Sequence, residues 1–263
     1  MIVFAAHVPN SPLLLPPVAG DRIGAVAKTR DALEELAGEL YAAKPDTILL
    51  LSDHPTQYDD AFSISVSDPY RCDLSDVGYL GYQKTYHPDF PLIDALQRAL
   101  RQAGEPVSLS TDDRLHFSAA VPLEFLTEKL PHIRIVPISP SGLDPKAHFA
   151  FGQALKPTLV ESRKRIAVIS AGDLAHTLTD FAPGGFHEDG IRYDETLLTA
   201  LEHHNAVGLM HMDESLRRHA QESAYQKLLI LLGVLEGTAM TPSIMSYEHP
   251  FGVGYAVVHF MMD

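Results

Sequence analysis

The chain has 263 residues, of which 46% are hydrophobic and 21% are charged, an ordinary composition for a globular protein. A formal net charge of −14 repels nucleic-acid backbones and anionic membranes, so neither is expected as a partner. No apolar run reaches the roughly 18 residues that a membrane helix needs, and the first residues lack the pattern of a signal peptide.

The chain is expected to fold as a single domain over residues 1–263, because no linker, low-complexity tract or internal repeat divides it. Its one cysteine, Cys72, has no partner for an internal disulfide, which favours a reducing, cytoplasmic location. Fourteen histidines are many for this length and point to metal binding or acid–base chemistry, although most are expected to be surface or packing residues.

Short apolar runs that fit buried strands alternate along the chain with longer amphipathic stretches that fit helices. The predicted strands lie at residues 2–6, 47–52, 61–66, 133–138, 165–170, 243–247 and 254–261. The predicted helices lie at residues 21–43, 92–103, 119–130 and 145–162, followed by a helical region over 193–235. This order predicts an α/β fold, with a mixed, largely parallel central sheet covered by helices on both faces.

Polar residues follow several of the predicted strands, where ligands of open α/β sheets collect. His7 follows the first strand, His54 the second, and His176 follows the strand in VISAGDLAH, while Glu222 stands where the last helix begins. Two imidazoles and a carboxylate suit a divalent metal and leave open positions, as in non-haem Fe(II) oxygenases. Each residue also has a simpler interpretation. Histidines at strand ends are often capping or packing residues. Glu222 could be a helix-start carboxylate that the helix dipole stabilises. His176 could begin a helix and bond to Asp173.

Several segments together resemble the class III extradiol ring-cleaving dioxygenases, a superfamily with protocatechuate 4,5-dioxygenase catalytic subunits, aminophenol dioxygenases and Memo-like proteins. The likeness covers nearly the whole chain. The segments on which the likeness rests are AAHVPNSPLLLP, LLLSDHPTQYDDAFSIS, LHFSAAVPLEFL, VISAGDLAH, QESAYQKLLILLGVLEG and PFGVGYAVVHF. Each segment is a weak signal alone, and their joint order is fairly specific.

The resemblance implies an Fe(II) site held by His7, His54 and Glu222, with Zn or Mn as substitutes. It also implies that His176 is the acid–base catalyst and that His116 lies near the substrate and the oxygen. The expected substrates are a small catechol- or aminophenol-type aromatic and O2, whose ring would open beside the diol. An imidazole titrates near neutral pH, which suits His176 for taking a proton from a metal-bound hydroxyl. Residues that contact the substrate remain unassigned.

The sequence departs from the family pattern near these residues. Many relatives have glycine after the histidine that corresponds to His116, whereas Phe117 stands here and would narrow the space. The second ligand often precedes glycine, whereas His54 precedes Pro55. Memo-like members carry a cysteine near the third ligand position, whereas Glu222 and Ser223 stand here, which favours a dioxygenase-type site.

Two other functions fit the same residues. The chain could be a Memo-like metal- or ligand-binding protein that does not cleave rings and works beside a radical enzyme. It could also be a zinc hydrolase, since two histidines and a glutamate suit zinc. A homo-oligomer is expected, and a small partner subunit completes the site in some relatives. The loop PGGFHEDG with His187 could cover the site, although a plain surface loop fits equally well.

Overall fold

An eleven-stranded mixed sheet runs through the computed structural model, which describes residues 1–262 of the chain. Its strands are β1 (Ile2–Val8), β2 (Thr47–Leu51), β3 (Phe62–Ser65), β4 (Tyr70–Asp73), β5 (Gln83–Pro88), β6 (Val107–Ser110), β7 (Arg114–Leu115), β8 (Arg134–Ser139), β9 (Ile166–Ala171), β10 (Met240–Glu248) and β11 (Tyr255–Met262). The strand order is β10-β11-β1-β9-β2-β8-β5-β4-β7, and β3 pairs with both β8 and β6.

Helices cover both faces of this sheet, as the alternating sequence pattern predicts. They are α1 (Pro16–Ala19), α2 (Ala27–Ala43), α3 (Phe90–Ala103), α4 (Phe117–Leu126), α5 (Pro145–Glu161), α6 (Glu188–Glu202), α7 (Ala206–Met210), α8 (Glu214–Ala220) and α9 (Tyr225–Leu235). One core lies between the sheet and α2 with α4, and the other between the sheet and α3, α5, α6 and α9. The predicted single α/β domain is confirmed. Among residues 1–262, none of the helices is long and apolar enough to cross a membrane.

Strand β2 shows why the centre of the sheet is so apolar. Ile48 and Leu50 point into one core, whereas Leu49 and Leu51 point into the other, and all four are fully buried. A strand that is covered on both faces needs apolar residues at every position, which explains the unbroken run in the sequence.

The central strands β1, β9, β2 and β8 are parallel, so their carboxyl ends meet at one edge of the sheet. Ser170 of β9 stands at the middle of that edge, in register with His7 on one side and Leu51 on the other. The segments that follow β1, β2 and β9 therefore leave the sheet side by side.

Several boundaries differ from the sequence prediction. The prediction placed His7 beyond the first strand, but β1 continues to Val8, so His7 is a strand residue. The predicted helical region over 193–235 is divided into four helices, because Asn205 and Asp213 cap new helices and Gln221 adopts a left-handed conformation. Strands β4 to β7 were missed, since they are short and largely polar.

Two glycines let α5 and α9 cross with their backbones in close contact. A Cβ atom on Gly152 would lie 2.1 Å from the carbonyl oxygen of Ile230, and one on Gly233 would lie 2.2 Å from that of Phe149. No side chain fits at either position. The close approach seats α9 deep in the core, where every residue from Lys227 to Leu235 is buried.

Substitution at this crossing should be costly. Gly233→Ala is expected to lower the free energy of unfolding by about 3 kcal/mol or more, because a backbone must move to admit the methyl group. Gly38→Ala in α2 is the matched control, since its Cβ would meet nothing within 4 Å; helix propensity predicts a gain of about 0.5–1 kcal/mol there. Urea denaturation measures both, and equal stability of the two variants would contradict the packing argument.

Candidate functional site

His7 is fixed at the middle of the shared strand edge. Its Nδ1 lies 3.1 Å from the Ser170 hydroxyl, whereas its Nε2 is buried without a hydrogen-bond partner among the described residues. Burial lowers the pKa of His7 to about 3, and the charge of Lys227 acts in the same direction. The imidazole is therefore neutral at physiological pH. With Nδ1–H donated to Ser170, a lone pair remains on Nε2, as a metal ligand requires.

His54 lies in the loop after β2 and bonds to its own surroundings. Its Nδ1 lies 3.0 Å from the backbone N–H of Thr56, which donates to it, and its Nε2 lies 3.1 Å from the hydroxyl of Ser110. The side chain is half-buried. Both ring nitrogens are thus engaged, and ligation of a metal would require His54 to give up one of these hydrogen bonds.

Glu222 lies in the short link between α8 and α9. Its Oε2 accepts a hydrogen bond of 2.7 Å from the backbone N–H of Tyr225, the first residue of α9. This contact agrees with the simpler interpretation of Glu222 as a helix-start carboxylate. Burial raises the pKa of Glu222, and the nearby charge of Lys227 opposes this shift.

The three candidate ligands do not converge closely in the structure. A different group of possible metal ligands does lie close together within residues 1–262. It consists of His187, Asp189 and His219, whose ligand atoms all lie within 4.8 Å of one another. His7, His54 and Glu222 share one end of the sheet, and each has a separate hydrogen-bond partner.

The sequence analysis missed Lys227, which stands at the centre of the candidate site. Its side chain is only 1% exposed, and its Nζ donates a hydrogen bond of 2.6 Å to Oδ1 of Asp53, next to His54. The same ammonium group lowers the pKa of His7 and of His116 and opposes the rise at Glu222. The signal was present in the sequence, since Lys227 is the one charged residue in the helix YQKLLILLGVL.

Asp173 joins three of the segments that form the site. Its Oδ1 accepts a hydrogen bond of 2.8 Å from the backbone N–H of Asn10, after β1. Its own backbone N–H donates to the hydroxyl of Ser223 at 2.9 Å, beside Glu222. Burial raises the pKa of Asp173 to about 7. The ends of β1 and β9 are thereby tied to the link before α9.

His176 lies in the loop after β9 with an unpaired ring nitrogen. Its Nδ1 is buried without a hydrogen-bond partner among the described residues, and burial lowers its pKa. Its backbone N–H donates to the carbonyl of Ala220 at 2.8 Å. The interpretation of His176 as a helix-start residue bonded to Asp173 is wrong, because the next helix begins at Glu188.

Asp194 of α6 holds the loop that carries His176. Its Oδ1 accepts a hydrogen bond of 2.9 Å from the backbone N–H of Ala175, and its Oδ2 accepts one of 2.6 Å from the Tyr247 hydroxyl. Burial raises the pKa of Asp194 to about 6. This carboxyl group acts on His176 only through the backbone, so it is a positioning residue.

His116 caps the start of α4 and is linked to Asp53 through one serine. Its Nδ1 accepts a hydrogen bond of 3.2 Å from the backbone N–H of Ser118. The hydroxyl of Ser118 in turn accepts a hydrogen bond of 3.1 Å from the backbone N–H of Asp53. Burial lowers the pKa of His116. The ring of Phe117 lies 4.2 Å from that of His116, centroid to centroid, and fills space that glycine would leave open.

Comparison with known proteins assigns the chain to a family. Residues 2–258 match the family model described as the catalytic LigB subunit of aromatic ring-opening dioxygenase, and the chain belongs to this family. Its members are typically metal-dependent oxygenases. The resemblance to class III extradiol dioxygenases that the sequence motifs predict is thereby confirmed.

Two relatives extend this comparison. The chain is 25% identical over 266 residues to Protein CA_C1420 of Clostridium acetobutylicum, in an alignment that covers 95% of this chain and 56% of that protein. The chain thus spans little more than half the length of this relative. A crystal structure of the uncharacterized protein JW3007 from Escherichia coli K12 has a TM-score of 0.68 and 17% identity, with 98% of this chain and 99% of that chain covered. That likeness shows a shared fold.

Removing either member of the Lys227–Asp53 ion pair should lower the free energy of unfolding, but by unequal amounts. Asp53→Ala is expected to cost about 3–5 kcal/mol of unfolding free energy, because the ammonium of Lys227 then loses its partner in the interior. Lys227→Met should cost less than about 2 kcal/mol, since the Asp53 side chain is 36% exposed and keeps contact with water. Urea denaturation of both variants and of the double variant tests this, and equal costs would refute it.

Asp194 should make stability depend on pH in a defined direction. Its pKa rises from 3.8 to about 6 on folding, so the folded state binds the proton more tightly and stability falls as pH rises from 4 to 6. The shift corresponds to about 3 kcal/mol. Asp194→Asn should make the slope shallower in unfolding titrations across that range, while Asp173, whose pKa is raised to about 7, keeps its own contribution. Asp180→Asn, at an exposed carboxylate, should keep it.

Proposed function

We propose that the chain is a non-haem Fe(II)-dependent extradiol dioxygenase that cleaves the ring of a catechol- or aminophenol-type substrate with O2. The observation that carries this proposal is the orphaned Nε2 of His7. A buried ring nitrogen without a partner costs free energy, and here it lies at the strand edge beside the loop of His54 and the segment of Glu222. Family membership supports the same assignment.

The donor set fits the metal. His7, His54 and Glu222 would hold it, with the hydroxyl of Ser170 orienting the His7 ring from the other side. Two imidazoles and a carboxylate leave open coordination positions on iron, while zinc or manganese also accepts these donors. When bound, Fe(II) supplies Lewis acidity and a common binding place for the aromatic substrate and O2.

His176 would take a proton from a substrate hydroxyl. Its unpaired Nδ1 and its lowered pKa both favour the free base at neutral pH. The backbone bond to Ala220 fixes the loop on one side, and Asp194 fixes it on the other through Ala175. The backbone that carries the ring is therefore held in place before the substrate arrives, which lowers the entropic cost of the proton transfer.

His116 and the ion pair of Lys227 with Asp53 would line the rest of the site. The Nδ1 of His116 is used in capping α4, so its Nε2 is the atom that can hydrogen-bond to the substrate or to oxygen. The ring of Phe117 restricts the space beside it. Lys227, neutralised in part by Asp53, contributes a fixed positive charge that favours a deprotonated, anionic substrate over a neutral one.

A second function is favoured by the state of His54. Because both ring nitrogens of His54 are hydrogen-bonded, this second ligand is not poised for a metal. A Memo-like protein that binds a metal or ligand without ring cleavage, and serves as the partner of a radical enzyme, would need no such poised set. The fact that the curated relative is much longer leaves room for this interpretation.

The test is anaerobic loading with Fe(II), followed by oxygen uptake with catechol and 2-aminophenol panels. We expect oxygen consumption and yellow ring-opened products. His7→Ala should lose bound iron and activity together, whereas His176→Ala should keep the iron and lose about 10²–10⁴-fold in rate. His211→Ala, on an exposed surface, is the matched control and should behave as the wild type.

The outcomes separate the alternatives. Iron that binds through His7 without oxygen uptake on any substrate would favour the Memo-like function. Activity that persists unchanged in His176→Ala would contradict the role of that residue, and iron binding that survives in His7→Ala would overturn the assigned metal site.

A further inference from the structure

We propose that His187, Asp189 and His219 form a second divalent-cation site, separate from His7, His54 and Glu222, which would take a first-row metal such as Zn²⁺. His187 and Asp189 stand at the start of α6, and His219 stands near the end of α8. The sequence analysis left open whether the His187 segment covers the site or is a plain surface loop, and the proposed dioxygenase function does not use it.

The distances support ligation of one ion. The Nδ1 of His219 lies 2.8 Å from Oδ2 of Asp189, and the Nδ1 of His187 lies 3.7 Å from the same oxygen. Ligand atoms of a tetrahedral zinc site with bonds of about 2.1 Å lie about 3.4 Å apart. The two observed separations bracket that value. The shorter one is a hydrogen bond between His219 and Asp189, which ligation would replace as these two atoms move about 0.6 Å apart.

The state of the imidazoles also favours a cation. The backbone N–H of Asp189 donates to Nδ1 of His187 at 3.1 Å, so this nitrogen carries its lone pair, and ligation would exchange that hydrogen bond for a metal bond. The rings of His187 and His219 stack with centroids 4.2 Å apart.

One neighbouring charge opposes the ion. Arg192 donates to Oδ1 of Asp189 at 2.6 Å, but its side chain is 70% exposed and therefore well screened by solvent. The other oxygen, Oδ2, faces both histidines. The two histidine side chains are partly exposed, so an ion can enter and water can complete its coordination.

The location gives such a site a structural role. The backbone N–H of His187 donates to the carbonyl of Thr177 at 2.9 Å, and Ala220, next to His219, accepts from the backbone of His176. The two histidine ligands therefore lie on segments that are both hydrogen-bonded to the His176 loop. A bound ion would join the start of α6 to the end of α8 across that loop.

The variants must remove ligands without removing the helix cap. The side chain of His187 caps α6, and His187→Asn keeps this capping ability while it removes the imidazole. His219→Gln removes the second imidazole, and Asp189→Asn replaces the carboxylate at nearly constant shape. His203→Asn, at the exposed end of α6, is the matched control.

The experiment titrates the tag-free protein with Co²⁺ and Zn²⁺ alone, with calorimetry and Co²⁺ visible absorption as readouts. We expect His187→Asn and His219→Gln each to lose one equivalent of bound metal, or to bind it at least tenfold more weakly, while His203→Asn loses none. Zn²⁺ should raise the melting temperature of the wild type more than that of either variant. His7→Ala should leave this equivalent in place, so failure of the iron site and failure of this site are distinguishable.

Unchanged metal equivalents and an unchanged Co²⁺ spectrum in His187→Asn and His219→Gln would overturn the proposal. Should one histidine variant fail to fold, as judged by its metal-free melting curve, the other variant and Asp189→Asn decide the question. Loss of the equivalent in the control His203→Asn as well would also count against it.

Discussion

The candidate site is arranged around one buried positive charge, the ammonium group of Lys227. An ammonium in the interior is costly unless a carboxylate faces it, and Asp53 supplies that carboxylate from the loop after β2. The contact ties α9 to the edge of the sheet where His7 and Ser170 meet. The same charge acts on the pKa values of His7, His116 and Glu222.

That arrangement rests on the close crossing of two helices. Without side chains at Gly152 and Gly233, α9 packs directly on the backbone of α5 and is buried along its length. A helix at this depth can place a lysine in the interior, and the link before it places Glu222 beside the strand ends. Packing far from the chemistry therefore decides where the charged groups stand, as is general in close-packed interiors.

The sequence predicted the parts of this molecule that periodic patterns encode. Unbroken apolar runs gave the parallel strands, and the strand ends pointed to His7, His54 and His176. The partners of these side chains could not be predicted, because they depend on contacts between distant segments: Ser110 binds His54, and Asp194 supports the His176 loop. The partner of Lys227 was likewise hidden, since helical periodicity does not show what an interior lysine faces.

The two histidines proposed as iron ligands differ in mechanical support. His7 belongs to a strand with hydrogen-bonded neighbours on both sides, whereas His54 sits in a loop that closes on its own backbone at Thr56. Uptake and release of a cation would then be a local event, in which the sheet stays still and one turn of chain rearranges. The rate of metal exchange would be governed by how readily the imidazole leaves the Ser110 hydroxyl, and occupancy would be far easier to alter than the fold.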